Sequence, residues 1–370
     1  MEMNGKIRDI VLLAAAVLCL SGCHSRPSLP ETTAEPAAFV EEATAPTLPP
    51  ETAPAQTLPQ EETFLLTFVG DCTLGANPTN YYAGVGFVKT VGEDYDYPFR
   101  NVLSYFAGDN ATFANLEGAL TDGGNPADKT HTFRGPTEYT RILTQSSVDV
   151  VTLANNHSMD YGQTGYDSTR AALEEAGIPF AQRDTGTLMT LDCGLKIGLY
   201  GMVYYNLDVE DMRSEIASLR EQGAELVIVA PHWGVEGSYQ PTQQQIDIGH
   251  AAIDAGADIV WGSHPHVLQP IEEYGSGVIF YSMGNFCFGG NAYPEDLDTA
   301  LLQQTVIRKA DGTITLGSLK IVPCSLGSEA GKNNYQPTPM AVGSEEYNRA
   351  LSKLEGTFSG PNLKIRKIGK

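Results

Sequence analysis

Leu153-Ala154-Asn155-Asn156-His157-Ser158-Met159-Asp160-Tyr161-Gly162 is the stretch around which the rest of the chain can be read. It closes an apolar run from Val148 to Leu153, rich in Val and Thr, that predicts a buried parallel strand. It precedes an amphipathic segment, Gln163 to Ala176, that predicts a helix. An amide, an imidazole and a carboxylate thus stand at the carboxyl end of a strand, where α/β sheets place their ligands. Taken alone, the stretch also fits a capped loop, because Asn and Asp favour turns and Asp160 can cap the helix that follows. Other strand ends decide between the two readings.

Those ends carry the same kind of group. Thr63 to Val69 leads into Gly70-Asp71, and Ala111 to Ala114 into Asn115-Leu116-Glu117. Leu226 to Ala230 leads into Pro231-His232-Trp233-Gly234, and Asp258 to Trp261 into Gly262-Ser263-His264-Pro265-His266. Val278 to Tyr281 leads into Ser282-Met283-Gly284-Asn285-Phe286. A glycine there permits a tight turn, and the next side chain projects over the sheet edge. No purely structural rule demands His, Asp, Glu and Asn at one end of so many strands. Between these strands, helices are predicted at Pro98 to Ala107, Thr137 to Ser146, Val209 to Gln222 and Gln243 to Ala255, the last closed by Gly256. Leu188 to Asp192 and Lys196 to Tyr200 predict short strands. Ala300 to Arg308 and Thr313 to Val322, joined by Asp311-Gly312, predict a hairpin.

Imidazole, carboxylate and amide oxygens suit divalent transition metals of intermediate softness. The candidate ligands are Asp71, Glu117, Asn156, His232, His264 and His266. One residue between His264 and His266 in a turn lets both point into one site. Two metals about 3.5–4 Å apart would clamp the attacking and leaving oxygens of a displacement. Asp160 is a candidate for a catalytic role, acting from behind the ligands, or caps the helix that follows. Arg134 and Asn285 are candidate substrate-binding residues, Arg134 because a guanidinium grips an anionic group bidentately. Asn285 and Glu236 can also orient ligands. His24 falls in a spacer, His131 in a loop and His250 in a helix, and all three are set aside.

The ordered set GDCTLG, NLEG, ANNHSMDYG, APHWG, GSHPH and SMGNF resembles the bacterial capsule-synthesis CapA family, which is associated with poly-γ-glutamate. That family is itself similar to the calcineurin-like metallophosphoesterases. The resemblance covers roughly residues 64 to 326 and implies a four-layer α/β/β/α sandwich with a metal site at the carboxyl ends of the strands. By the same resemblance, Asp71 binds a first metal, Glu117 bridges, and Asn156, His232 and His264 hold a second. His266 returns to the first metal and His157 protonates the leaving group. The sequence departs from the phosphoesterase pattern where Asp71-Cys72-Thr73 puts threonine in place of a histidine, and where Glu117 replaces a shorter aspartate. Both departures predict a weakened first metal site. One or two divalent ions, Mn, Fe or Zn, are expected.

The ends of the chain point to a cell surface. Lys6 and Arg8, the apolar run Ile10 to Leu20, and Leu20-Ser21-Gly22-Cys23 carry the marks of a secretory signal over residues 1–22. Cys23 stands where a lipobox cysteine is acylated, which predicts an extracytoplasmic protein tethered to the cell membrane by its lipid. Residues 23–62 are rich in Pro, Thr, Ala and Glu and predict an extended spacer, on the order of 100 Å at roughly 3.1 Å per residue. Residues 63–326 form the expected catalytic-type domain and 327–370 a C-terminal extension whose charged tail, with Lys364, Arg366, Lys367 and Lys370, has no readable role. The net charge of -22 argues against nucleic acid and gives no long-range pull on polyanions. Cys72, Cys193, Cys287 and Cys324 form no metal-ribbon spacing and read as mostly buried thiols.

Two functions follow as expectations. One is a surface-anchored metal-dependent hydrolase acting on a phosphoester or on an anionic envelope polymer such as poly-γ-glutamate. The other is a non-catalytic accessory lipoprotein that guides the polymer for a membrane-embedded synthase. A solute-binding lipoprotein would fit the anchor but leave the histidines unexplained.

Overall fold

The computed structural model describes residues 60–77 and 86–364. The expected signal, Cys23 and nearly all of the spacer lie outside the described residues, as do Arg366, Lys367 and Lys370. Among the described residues no helix is long and apolar enough to cross a membrane.

Two sheets face each other. In the first, Glu62–Cys72, Ala111–Leu116, Val150–Thr152 and Phe180–Ala181 run parallel side by side. The hairpin Asp298–Arg308 and Ile314–Ser325 lies antiparallel on the other flank of Glu62–Cys72. In the second sheet, Gly277–Phe280, Ile259–Trp261, Leu226–His232 and Lys196–Val203 run parallel, with antiparallel edges Ile271–Tyr274 and Gly186–Thr190.

Strand alternation builds the layers. Leu226, Ile228 and Ala230 face the first sheet, whereas Val227 and Val229 face outward to helices. Phe64, Leu66 and Phe68 point back between the sheets. There Phe68 stacks on Phe113 at 4.9 Å and meets Trp261 and Phe280 of the second sheet at 5.8 and 5.7 Å. Met212, Ile216 and Leu219 of helix Val209–Glu221, with Ile248 and Ala252 of Gln243–Asp254, cover the second sheet. Ile142 and Leu143 of Thr140–Gln145 and Leu173 of Gly162–Ala176 cover the first. The result is the four-layer α/β/β/α sandwich.

One expectation changes. The predicted helix from Pro98 to Ala107 is helical only over Leu103–Phe106. Its first half is a run of turns, in which Arg100 folds back onto Asp94 at 2.8 Å. The extension after residue 326, for which the sequence predicts no elements, carries a strand and a helix within its described residues. Thr338–Pro339 pairs with Ile314–Ser325, and helix Glu345–Leu354 sends Ala350 and Leu354 into the core between the sheets.

The edge opposite the site holds a titrating acid. Asp109 accepts a hydrogen bond from the Thr112 hydroxyl at 2.7 Å, and Asp149 accepts one from the Thr112 amide at 2.8 Å. Burial raises the Asp109 carboxyl to about 6, against the pull of its hydrogen bonds from Thr67 and Thr112 and helped by the charge of Asp149. The folded state therefore keeps a proton that the unfolded state releases near pH 4, and stability falls as pH rises between those values. Asp109→Asn is expected to raise the melting temperature by about 2–4 °C at pH 7.5 and to give no gain at pH 4. Equal gains at both pH values in calorimetry would contradict this.

Candidate metal centre

The polar ends of strands from both sheets meet over one edge. Close packing brings them there: a Cβ on Gly70 would lie 2.0 Å from the Gly284 carbonyl oxygen, and one on Gly262 2.3 Å from that of Tyr281. The loop after Ile259–Trp261 is bent more sharply still. His264 and His266 adopt φ values of 96° and 58°, a left-handed backbone that costs free energy in a residue with a Cβ. That backbone turns both imidazoles toward the neighbouring sheet.

Glu117 lies at the centre. It is fully buried, and neither carboxylate oxygen has a hydrogen-bond partner. Its Oε1 lies 3.4 Å from Nε2 of His232 and its Oε2 lies 3.8 Å from Nδ1 of His266. Asp71 is equally buried, with Oδ2 3.2 Å from the same His266 nitrogen. Asn156 places Oδ1 3.0 Å from His232 Nε2. The His264 ring packs 4.7 Å from that of His232, with its buried Nδ1 unpartnered. Asn285 holds His266 through Oδ1 at 3.0 Å. Asp71, Glu117, Asn156, His232, His264, His266 and Asn285 are thus brought together.

Side chains behind them fix their aim. Asn155 donates to Asn115 at 3.0 Å, and Asn115 donates to Asp71 Oδ1 at 2.8 Å, which leaves Asp71 Oδ2 directed into the site. The Ser263 hydroxyl contacts His232 Nδ1 at 2.8 Å, so the opposite nitrogen faces Glu117. Sequence reading passed over these roles of Asn115, Asn155 and Ser263, although each lies inside a quoted motif. Thr73, which stands where the phosphoesterases have histidine, is buried with an unpartnered hydroxyl.

The electrostatics fit a cation. Burial, then the charge of Asp71, pushes Glu117 up to about 8. Burial alone would raise Asp71, but the hydrogen bond and charge of His266 hold it below the usual range. Burial depresses His232 to about 3 and His264 to about 2, which favours the neutral imidazole, the form able to bind a metal. For His266, Glu117 and Asp71 outweigh burial and raise it to about 10. Asp71 and Glu117 favour positive charge at this point and so raise His266, and a divalent cation bound there would favour the ionised form of Glu117 and the neutral form of His266. Orphaned carboxylate oxygens, neutral imidazoles and an amide oxygen form a donor set that fits such an ion. Ligand atoms of Asp71, Glu117 and His266 lie within 4.8 Å of one another, as do those of Glu236, His264 and His266. Glu236, expected only to orient ligands, is therefore itself in ligand position.

His157 stands beside this centre. Its Nδ1 lies 2.7 Å from Asp160 Oδ2, which also accepts the Phe133 amide proton at 2.6 Å. Lys129 forms an ion pair with Asp160 and donates to the Asn156 carbonyl at 2.8 Å. Asp160 does not cap the helix, whose N-cap is Tyr161 with no side-chain bond. A cavity of about 320 Å³ opens in front, lined by His157, His266, Asn285, Glu236 and Phe288. His131, set aside from sequence, also lines it. Arg134 does not: its guanidinium lies over the Tyr161 ring at 5.2 Å. His250 stacks on Tyr274 at 3.7 Å and pairs with Glu272, away from the site.

Fold and site together define a four-layer α/β/β/α protein with a metal-type ligand cluster at the strand ends shared by its two sheets. The family described as Bacterial capsule synthesis protein PGA_cap matches residues 65–203 and 181–290, and the chain belongs to that family. It is 28% identical over 324 residues to the capsule biosynthesis protein CapA of Bacillus anthracis, covering 80% of this chain and 74% of that protein. It is 30% identical over 286 residues to the PGA biosynthesis protein CapA of Bacillus subtilis (strain 168), covering 70% and 71%. Among solved structures it is similar to the NAD nucleotidase of Haemophilus influenzae, with a TM-score of 0.43, 12% identity and 80% of this chain covered. The chain spans 56% of that enzyme's length.

Proposed function

We propose that this protein is a lipid-anchored, metal-dependent hydrolase of the outer cell surface, acting on poly-γ-glutamate or a related anionic envelope polymer. The observation that carries the reading is Glu117, a buried carboxylate with both oxygens unpartnered between two imidazoles from the other sheet. Asp71, Glu117 and His266 would hold one divalent ion, and Asn156, His232 and His264 would offer donors to a second. A divalent ion, Mn, Fe or Zn, supplies Lewis-acid polarisation of the scissile phosphoryl or carbonyl group when bound. Asp160 fixes the His157 ring through Nδ1, which leaves Nε2 to give a proton to the leaving group. Phe133, 4.6 Å from His157, keeps one face of that ring dry. Capsule synthesis comes from the family and the named relatives; the anchor comes from Leu20 to Cys23 and the spacer.

A second reading, an accessory protein that holds polymer for a membrane synthase, is favoured by Thr73, which removes one ligand from the first ion. The two separate in one assay of the full chain with an aryl phosphodiester and with poly-γ-glutamate. Turnover lost to chelator and restored by Mn or Zn supports the hydrolase. Polymer binding without turnover supports the accessory role, and neither binding nor turnover defeats both.

A further inference from the structure

We infer that Lys129 is a positioning residue of this centre, a cation from the 121–133 loop that fixes His157 by clamping the turn that carries it. The role rests on the reading of His157 as proton donor to the leaving group. Between strand Val150–Thr152 and helix Gly162–Ala176 the chain runs through bends and turns. The Asp160 amide donates to the His157 carbonyl at 3.1 Å, and the His157 amide donates to Asn155 Oδ1 at 3.0 Å. Lys129 reaches across this turn. Its Nζ donates to the Asn156 carbonyl at 2.8 Å and pairs with Asp160 Oδ1. Asp160 is fully buried, where a carboxylate is costly to hold without a cation. Its Oδ2 accepts the Phe133 amide proton at 2.6 Å and lies 2.7 Å from His157 Nδ1, so Oδ1 is the oxygen that meets Lys129. A carboxylate gripped at both oxygens is held against rotation, and the imidazole bonded to it keeps its aim.

The clamp comes from outside the turn. Its loop joins the paired two-residue strands Ala119–Leu120 and Arg134–Gly135, and residues 122–131 are exposed throughout. The Ala127 amide donates to the Asp160 carbonyl at 2.8 Å, so backbone and ammonium bind the same turn from one side. Lys129 Nζ also lies 3.4 Å from His157 Nδ1, beside the bond between imidazole and carboxylate. The Lys129 side chain is 33% exposed while that of Asp160 is fully covered. A surface ion pair of two exposed partners contributes little. Here one partner is buried and directs the proton donor, so loss of the ammonium is felt in the placement of His157. Among the described residues that line the cavity in front of His157, Lys129 is absent, whereas His131, two residues on, is present. Lys129 therefore supports the donor without facing the substrate.

The test uses full-length, metal-loaded protein and an unactivated aryl phosphodiester, with metal content and melting temperature read on every variant. Lys129→Met is expected to lower kcat about 10–30-fold with KM and metal content unchanged. Lys129→Cys should show the same deficit. Alkylating that thiol with bromoethylamine rebuilds an ammonium of nearly the same reach and should restore most of kcat. Cys72, Cys287 and Cys324 are buried, and wild type treated alike corrects for Cys193. Should Lys129→Met melt early, Lys129→Arg keeps a cation beside Asp160 in a different donor geometry. It should fold like wild type and lose kcat about two- to fivefold. In a His157→Ala background Lys129→Met should cost less than about twofold, since no donor remains to be positioned. Undiminished kcat in the folded variants, the same loss with His157 absent, or metal lost in step with activity would each overturn the inference. In all three cases turnover by wild type leaves the hydrolase reading intact. A metal-loaded wild type without turnover would defeat that reading and the inference with it.

Discussion

His157→Ala is expected to lower turnover of the metal-loaded protein by about 10²–10⁴-fold while leaving metal content and stability unchanged. The ring lies beside the ligand cluster, and its Nδ1 is committed to Asp160 at 2.7 Å. Its loss removes the proton donor without removing a ligand. The variant should fold, because Asp160 keeps the Phe133 amide and Lys129 as partners and its buried charge is not orphaned. Asp160→Asn should give a smaller loss, since it unfixes the imidazole rather than deleting it. A substrate with a good leaving group needs less protonation, so the His157→Ala deficit should shrink on an activated aryl ester. Full turnover in His157→Ala, or parallel loss of metal and activity, would remove His157 from the proposed role.

The second large effect is expected at Lys353. Lys353→Ala should destabilise the protein by about 3–5 kcal/mol, because it leaves the buried carboxylates of Asp296 and Asp298 short of the cation that donates to them at 2.6 and 2.7 Å. Asp298 keeps Arg349, but Asp296 keeps only neutral partners, the Tyr239 hydroxyl at 2.9 Å and the Asp298 amide at 3.0 Å. A fall of roughly 10 °C in melting temperature is the measurable counterpart. The same substitution removes the ammonium that lies over the Tyr239 and Phe358 rings, so residues 358–364 lose part of their hold on the 236–239 loop. A change below about 1 kcal/mol in urea unfolding would show that the cluster does not hold the C-terminal helix.

How much of this was legible in the sequence depends on the range over which each signal acts. Strand ends were readable because alternation and a following glycine are local, and the ligand types stood at those ends in order. The sandwich came from the motif resemblance, since periodicity alone does not say that Phe68 meets Trp261 across two sheets. The short strand Asn285–Cys287 was missed because its pairing with Asp71 and Cys72 is set by tertiary contact over more than two hundred residues. The C-terminal helix was not predicted, and nothing local shows that Lys353 is buried by acids far away in sequence. Lys129 and His131 gave no sequence signal, as nothing local marks a loop residue that folds over a distant site. Arg134 looked like an anion clamp only until its ring partner, Tyr161, was visible.

The most direct measurement is the metal content of the full-length protein by elemental analysis, in wild type and in a His232→Ala, His266→Ala double variant of unchanged fold. Wild type is expected to carry about one to two equivalents of a divalent transition metal per chain, and the variant at least tenfold less. A folded wild type that neither carries such a metal nor takes one up from solution would contradict it.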